Sequence, residues 1–287
     1  MFKAVNFWVI TKQKIIKFGA IILAIGAIIV LISVFLKRNQ PVFNFSKPTQ
    51  WPNTDVYELN VEAGAQRELP IYSVERDDNK IAITVDAAWE DSRTAELLNI
   101  FKSNDVKATF FLCKYWVENC PDFVKQIHEE GHQLGNHSAT HPHMSKLSAA
   151  EIKKELTDTD DAIEKLIGTR STMFRPPFGE YDNNVINAAR SAGYEVIQWS
   201  IDTIDWQNDR SVDFIVKRVL DNVKSGDIIL CHNNAQYVLD YMPIIIKELK
   251  NRGFEFVTVE ELLLQGDTTI NSQGIQQPAT QSEAANN

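Results

Sequence analysis

Cysteine is scarce in this 287-residue chain, and its three copies, Cys113, Cys120 and Cys231, show no C-x-x-C spacing. An odd, unspaced set excludes a disulfide scaffold and a thiolate metal site. A Cys113–Cys120 bridge stays open for an oxidising compartment, while buried free thiols are the expectation. Positive charge is also short: 29 Lys and Arg against 38 Asp and Glu give a formal net charge of −9. No basic stripe runs through the body of the chain, which argues against nucleic acid as a partner.

From Phe18 to Leu36 there is no charge at all. As a helix this run would span about 28 Å, close to a bilayer's hydrocarbon core. Lys3, Lys12, Lys14 and Lys17 precede it, and only Lys37 and Arg38 follow closely. The positive-inside bias therefore predicts a cytoplasmic segment at 1–17, a transmembrane signal-anchor at 18–36 and an outward-facing remainder. The rival is a cleaved signal peptide, but the run is longer than a typical signal's and no A-x-A-like site follows it. Residues 37–68 read as a polar extracellular stem. Residues 265–287 are Gln-, Asn-, Ser- and Thr-rich with almost no apolar side chains, so they are predicted to be disordered. A folded unit at 69–264 remains, long enough to bury a substantial core.

Within it, short apolar runs alternate with helical patterns. Ile81–Val85, Ala108–Leu112, Gln133–Leu134, Thr172–Phe174, Val196–Ile201, Ile228–Cys231 and Phe254–Val259 read as strands. Ser148-Ala-Ala-Glu151 is a capping box, followed by Ile152, Leu156, Ile163 and Leu166 at helical spacing, and Ser211 opens another helix. About seven β-then-α repeats predict an α/β fold, a distorted (β/α) barrel with its chemistry at the C-terminal ends of the strands.

Those ends carry unusual residues. The first strand runs into Asp86, the third into Gly135-Asn-His137-Ser-Ala-Thr-His141-Pro142, the fourth into Arg175, the fifth into Asp202 and Asp205, and the sixth into His232. Asp is common there as a helix N-cap, but three histidines, an arginine and several aspartates on one rim exceed what capping requires. Two imidazoles converging from a tight loop suit a zinc-type ion.

The segments IAITVDAAWED, HQLGNHSATHPHM, FRPPFGEYD, WSIDTIDW and GDIILCHN resemble, in order and spacing, the five motifs of the polysaccharide deacetylase family, the NodB-homology or carbohydrate esterase family 4 enzymes. The likeness covers about Ile71 to Leu264, and the Asp-Ala-Ala-Trp variant looks most like the sporulation-associated and clostridial branch. The resemblance implies metal-assisted removal of N-acetyl groups from amino-sugar polymers such as cell-wall peptidoglycan. It implies that His137 and His141 ligate a divalent ion, zinc in the first place, with cobalt and manganese as alternatives. Asp86 would be the general base and Arg175 its orienting partner. His232 would be the general acid, supported by Asp205 or Asp202. The backbone N–H of Phe178 would help to stabilise the oxyanion, and Trp206 and Leu230 would line a slot for the acetyl methyl.

One position departs from the pattern. The second motif aspartate, a metal ligand in the family, is Ala87 here, so Asp91 or water would have to complete the coordination. The alternative function is a weak or inactive glycan-binding domain on the same barrel. His128-Glu-Glu-Gly-His132 matches the H-E-x-x-H template of zinc proteases, but Gly131 should end the helix and carry His132 off the His128 face. His143 reads as a loop histidine without a role. Glu180-Tyr181-Asp182 read as a turn and cap, Asp158, Asp160 and Asp161 as a solvated helix face. Trp89 and Trp199 read as core residues that could instead stack on sugars.

Overall fold

The computed structural model describes residues 67–279. Its centre is β2 (Lys80–Ala87), buried along nearly its whole length. Alternation sends Ile81, Ile83, Val85 and Ala87 into one apolar layer and leaves Ala82, Thr84 and Asp86 on the other face. β3 (Thr109–Leu112), β4 (Gln133–Asn136), β5 (Met173–Phe174) and β6 (Glu195–Val196) extend the sheet to one side. β8 (Ile228–His232) and β7 (Ile201–Asp202) extend it to the other, giving the parallel order β6-β5-β4-β3-β2-β8-β7, and β9 (Glu255–Phe256) also pairs with β2.

The two ends of this path belong to one stretch of chain. β6 bonds β5 and β7 bonds β8, with only residues 197–200 between them. The run expected as a single strand at Val196–Ile201 is thus two short strands. The sheet curls until one segment borders both edges, a curled parallel half-barrel of seven strands. The expected membrane anchor lies outside the described residues. No helix among the described residues is long and apolar enough to cross a membrane.

Helices cover the outer face. α1 (Thr94–Ser103), α2 (Lys114–Asn119), α3 (Pro121–Glu129), α6 (Val212–Leu220) and α7 (Val238–Asn251) bury Leu97, Phe101, Trp116, Ile127, Ile215 and Ile245 against the outward residues of β2 and β3. Fully burying one such side chain stabilises the fold by roughly 1.5–3 kcal/mol. α4 (Ala149–Ile167) starts at the Ser148/Glu151 capping box and stops at Gly168 in the left-handed region; it packs with α5 (Asn183–Ser191). Inside the curl, Ala82, Phe111, Met173, Ile197 and Ile228 fill the floor. Gly135 of β4 is required there, because a Cβ would meet the Phe111 ring at 2.5 Å.

The folded unit continues past Leu264. After α8 (Val259–Leu262), β10 (Thr268–Ile270) and β11 (Ile275–Pro278) form an antiparallel hairpin, and β11 lies parallel to β1 (Ser73–Val74). This corrects the expectation of disorder from residue 265. The hairpin is held by polar bonding that composition does not reveal. Asn271 Oδ1 caps its turn by accepting from Gln273 and Ile275 N–H, and buried Gln276 accepts the N–H of Leu264 at 2.9 Å.

Candidate active site

Parallel registry explains why distant residues meet. Asp86 lies opposite Phe111 on β3 and His232 on β8. Leu112, Asn136 and Phe174 are successive ladder partners, so His137 and Arg175 emerge side by side one residue beyond them. Arg175 is fully buried above the Phe111 ring, 4.1 Å from guanidinium carbon to ring centroid. One nitrogen donates to Asp86 Oδ1 at 2.7 Å and to Thr84 Oγ1 at 2.8 Å; the other donates to the Gln198 carbonyl at 3.0 Å. Trp199 packs against the inner core beneath it, 5.5 Å from the guanidinium, as a core residue does.

His137 Nδ1 lies 2.8 Å from the Arg175 carbonyl. A carbonyl only accepts, so Nδ1 carries the hydrogen and Nε2 keeps its lone pair. That Nε2 is 3.6 Å from Asp86 Oδ2. The His141 ring is 5.0 Å from the His137 ring, with a buried Nδ1 that has no hydrogen-bond partner. Burial lowers the pKa of both histidines, His141 most, so both rings are neutral near pH 7. The loop between them is clamped from α4: Glu155 Oε2 accepts the N–H of Ala139 and of Thr140, each at 2.8 Å. Ser138 and His141 take positive φ angles of 67° and 56° within it.

Across the rim, His232 Nδ1 meets Asp205 Oδ1 at 2.7 Å, and the other Asp205 oxygen accepts the His232 N–H and the Tyr241 hydroxyl. Burial opposes the His232 charge, but the Asp205 carboxylate and its hydrogen bond outweigh it and raise the pKa to about 9. Asp202 does not hold His232; its Oδ1 accepts the Ile204 N–H at 2.7 Å and its Oδ2 is buried without a partner. Leu230, 3% exposed, lies between Thr84 and Asp202 in the ladder, on the His232 side of β8. Trp206 is half-buried beside Asp205. Phe178, at φ 61°, sets its ring 4.4 Å from that of His141.

Comparison with known proteins fits this geometry. A family model described as polysaccharide deacetylase matches residues 73–197. A peptidoglycan-N-acetylglucosamine deacetylase of Bacillus cereus is 36% identical over 197 residues, covering 67% of this chain and 92% of the relative. The chain belongs to the polysaccharide deacetylase family. The uncharacterized protein YlxY of Bacillus subtilis is 35% identical, and there the match covers 68% of this chain and 60% of the relative. Among solved structures, BA3943 of Bacillus anthracis, a carbohydrate esterase family 4 pseudoenzyme, aligns with a TM-score of 0.64 and 33% identity over 67% of this chain and 68% of that one. A mutant of BA3943 is described as having restored enzymatic activity.

The set of metal ligands expected from the sequence resemblance lacks its carboxylate here. Ala87 is fully buried in the outer apolar layer and offers no donor. Asp91 is exposed three residues before α1, where its Oδ2 faces the Cys120 thiol at 3.6 Å. Among the described residues no three His, Cys, Asp or Glu side chains are grouped to hold an ion. The lone pair of His137 Nε2 and the orphaned Nδ1 of His141 do fit a zinc-type ion, one protein ligand short of the usual three. The cysteines are free, with Cys113 and Cys231 buried.

Some site residues escaped the sequence reading. His143 is not idle: it stacks on Phe178 at 4.6 Å and 19°, and its Nδ1 lies 2.5 Å from Glu180 Oε2, whose other oxygen accepts from Ser145. Glu180 therefore does more than turn the chain, while Asp182 does cap α5. Asp160 is buried rather than solvated and receives Asn136 Nδ2 and the Tyr194 hydroxyl, bracing the strand before His137. Trp89 reaches the site, 5.5 Å from His141. The protease template dissolves: α3 ends at Glu129, His128 is exposed, and His132 is buried against Phe101 and Phe110.

Proposed function

We propose that this chain hydrolyses N-acetyl groups on amino sugars of cell-wall glycan, releasing acetate and a free amine. The observation that carries the reading is the opposition of two prepared groups on adjacent strands: Asp86, fixed by Arg175, and His232, fixed by Asp205. Asp86 takes the proton of the attacking water as general base. His232, charged at neutral pH, donates its proton to the departing amine nitrogen, and Asp205 with Tyr241 orients it. Leu230 and Trp206 would receive the acetyl methyl, and the Phe178 backbone N–H would help to stabilise the oxyanion. His137 and His141 would hold a divalent ion, zinc first, with cobalt or manganese as alternatives. When bound, it supplies polarisation of the amide carbonyl and a lowered pKa for water. The uncharged run at 18–36 supports anchorage in the cell membrane with the domain outside.

A second reading is favoured by Ala87 and by the pseudoenzyme relative: a domain that binds glycan and hydrolyses it slowly or not at all. Acetate release from purified peptidoglycan, with and without added zinc, cobalt or manganese, separates the two. Asp86→Asn should cut a true activity by about 10²- to 10⁴-fold and leave glycan binding nearly unchanged. Undiminished acetate release in that variant removes Asp86 as the base.

A further inference from the structure

Beside the reacting groups stands an imidazole that the proposed chemistry does not use. The His143 side chain is about half exposed (49%), and a ring so open on a loop would ordinarily sample several rotamers. This one is fixed from two directions. One face lies flat on Phe178, whose own ring packs edge-on against His141. Its Nδ1 is bonded to Glu180, a carboxylate only 9% exposed, whose second oxygen is taken by Ser145. Burying a carboxylate is unfavourable unless its oxygens are matched, and here Ser145 matches one oxygen while the other holds the His143 ring. With Nδ1 engaged, the Nε2 edge is left as the ring's remaining polar group.

A flat ring with a polar edge is suited to a pyranose, which offers an apolar C–H face and hydroxyls around its rim. Because His143 is ordered before any ligand arrives, binding there avoids much of the entropy of immobilising a side chain. The two ring contacts through Phe178 put His143 no further than about 9 Å from His141. A ring within that distance of the site is in reach of a sugar that neighbours the reacting one in the same chain.

We propose that His143, held by Glu180 and Ser145 on Phe178, is a binding subsite for the sugar adjacent to the one deacetylated, so that this domain selects oligomeric glycan over single amino sugars. The inference rests on the glycan reading above. Full-length Asp86→Asn protein, in which turnover is slowed by about 10²- to 10⁴-fold, is titrated with the N-acetylglucosamine tetramer and with the monosaccharide by calorimetry or NMR. The tetramer binds more tightly than the monosaccharide. His143→Ala weakens the tetramer by about tenfold, the scale of one ring contact plus one hydrogen bond, and leaves the monosaccharide unchanged. His143→Phe, which keeps the ring and guards against a folding defect in the alanine variant, recovers part of the loss. Equal loss for both sugars, or no loss for either, overturns the subsite and leaves the deacetylase reading intact. Failure of the unsubstituted sequence at 143 to bind either sugar overturns both.

Discussion

Arg175 holds His137 and Asp86 together: its carbonyl accepts the His137 Nδ1 hydrogen at 2.8 Å while its guanidinium grips Asp86 at 2.7 Å. One residue thus sets the tautomer of a proposed metal ligand and the orientation of the proposed base. Arg175→Lys keeps the charge but cannot reach Asp86, Thr84 and Gln198 together. We expect a folded protein with acetate release down at least 10²-fold. Arg175→Ala leaves Asp86 buried beside an empty volume and should lower stability by about 3–5 kcal/mol. Thermal melts and acetate assays distinguish the two outcomes.

Asp205 governs the charge on His232. With a pKa of about 9, the imidazole is protonated through neutral pH. As its folded pKa lies above the unfolded value near 6.5, its contribution to stability is complete below pH 6.5 and fades as pH rises through about 9. The same proton is the one donated to the leaving amine, so activity should fall on the alkaline side near pH 9. In Asp205→Asn the largest attraction is gone while burial and the weaker pull of Asp86 and Asp202 remain, moving that alkaline limb to lower pH. A pH–rate profile, or the NMR titration of the ring, reads the shift directly.

The strand ends were legible because buried parallel strands read as apolar runs, and Asp86, Arg175 and His232 interrupt those runs where they stop. The supporting residues were less visible, since what matters in them is tertiary. Asp160 stands four residues after Leu156 and eight after Ile152, on the buried stripe of α4. That periodicity was a signal of burial, masked by acidic neighbours at 158 and 161. Glu155 and Glu180 carry no such mark. Their partners are 15 and 37 residues away, in loops whose path only the fold defines. The hairpin at 268–278 hid for another reason: backbone and amide hydrogen bonds hold a segment with little apolar surface to announce it.

His132 should make the fold sensitive to acid. Its Nδ1 accepts the Ala108 N–H at 3.1 Å, it is packed between two phenylalanines, and burial lowers its pKa to about 4. The unfolded chain binds that proton near pH 6.5 and the folded one only near pH 4. Stability is therefore lost between about pH 6.5 and 4, by roughly 3 kcal/mol for this group. Denaturant unfolding at pH 7 and pH 4.5 measures the loss. In His132→Gln, which has no proton to bind, the loss should shrink by most of that amount; an unchanged loss assigns the acid sensitivity elsewhere.

Restoring the family's carboxylate at position 87 gives the sharpest examination of the ion. Ala87→Asp puts a charge into a fully buried site at the end of β2. Without metal that charge has no cation to meet, and a loss of about 2–3 kcal/mol, or roughly 5–10 °C in Tm, should follow. If the chain can turn the new carboxylate toward His137 and His141, excess zinc binds only the folded form, returns the lost stability by mass action and raises acetate release above that of the native protein. The native protein, with two imidazoles alone, should show a smaller zinc-induced rise in Tm. A destabilised variant that zinc does not rescue shows instead that residue 87 is locked outward, with Val85 and Ile83, and that the deficiency at this site is one of backbone geometry as well as side-chain identity.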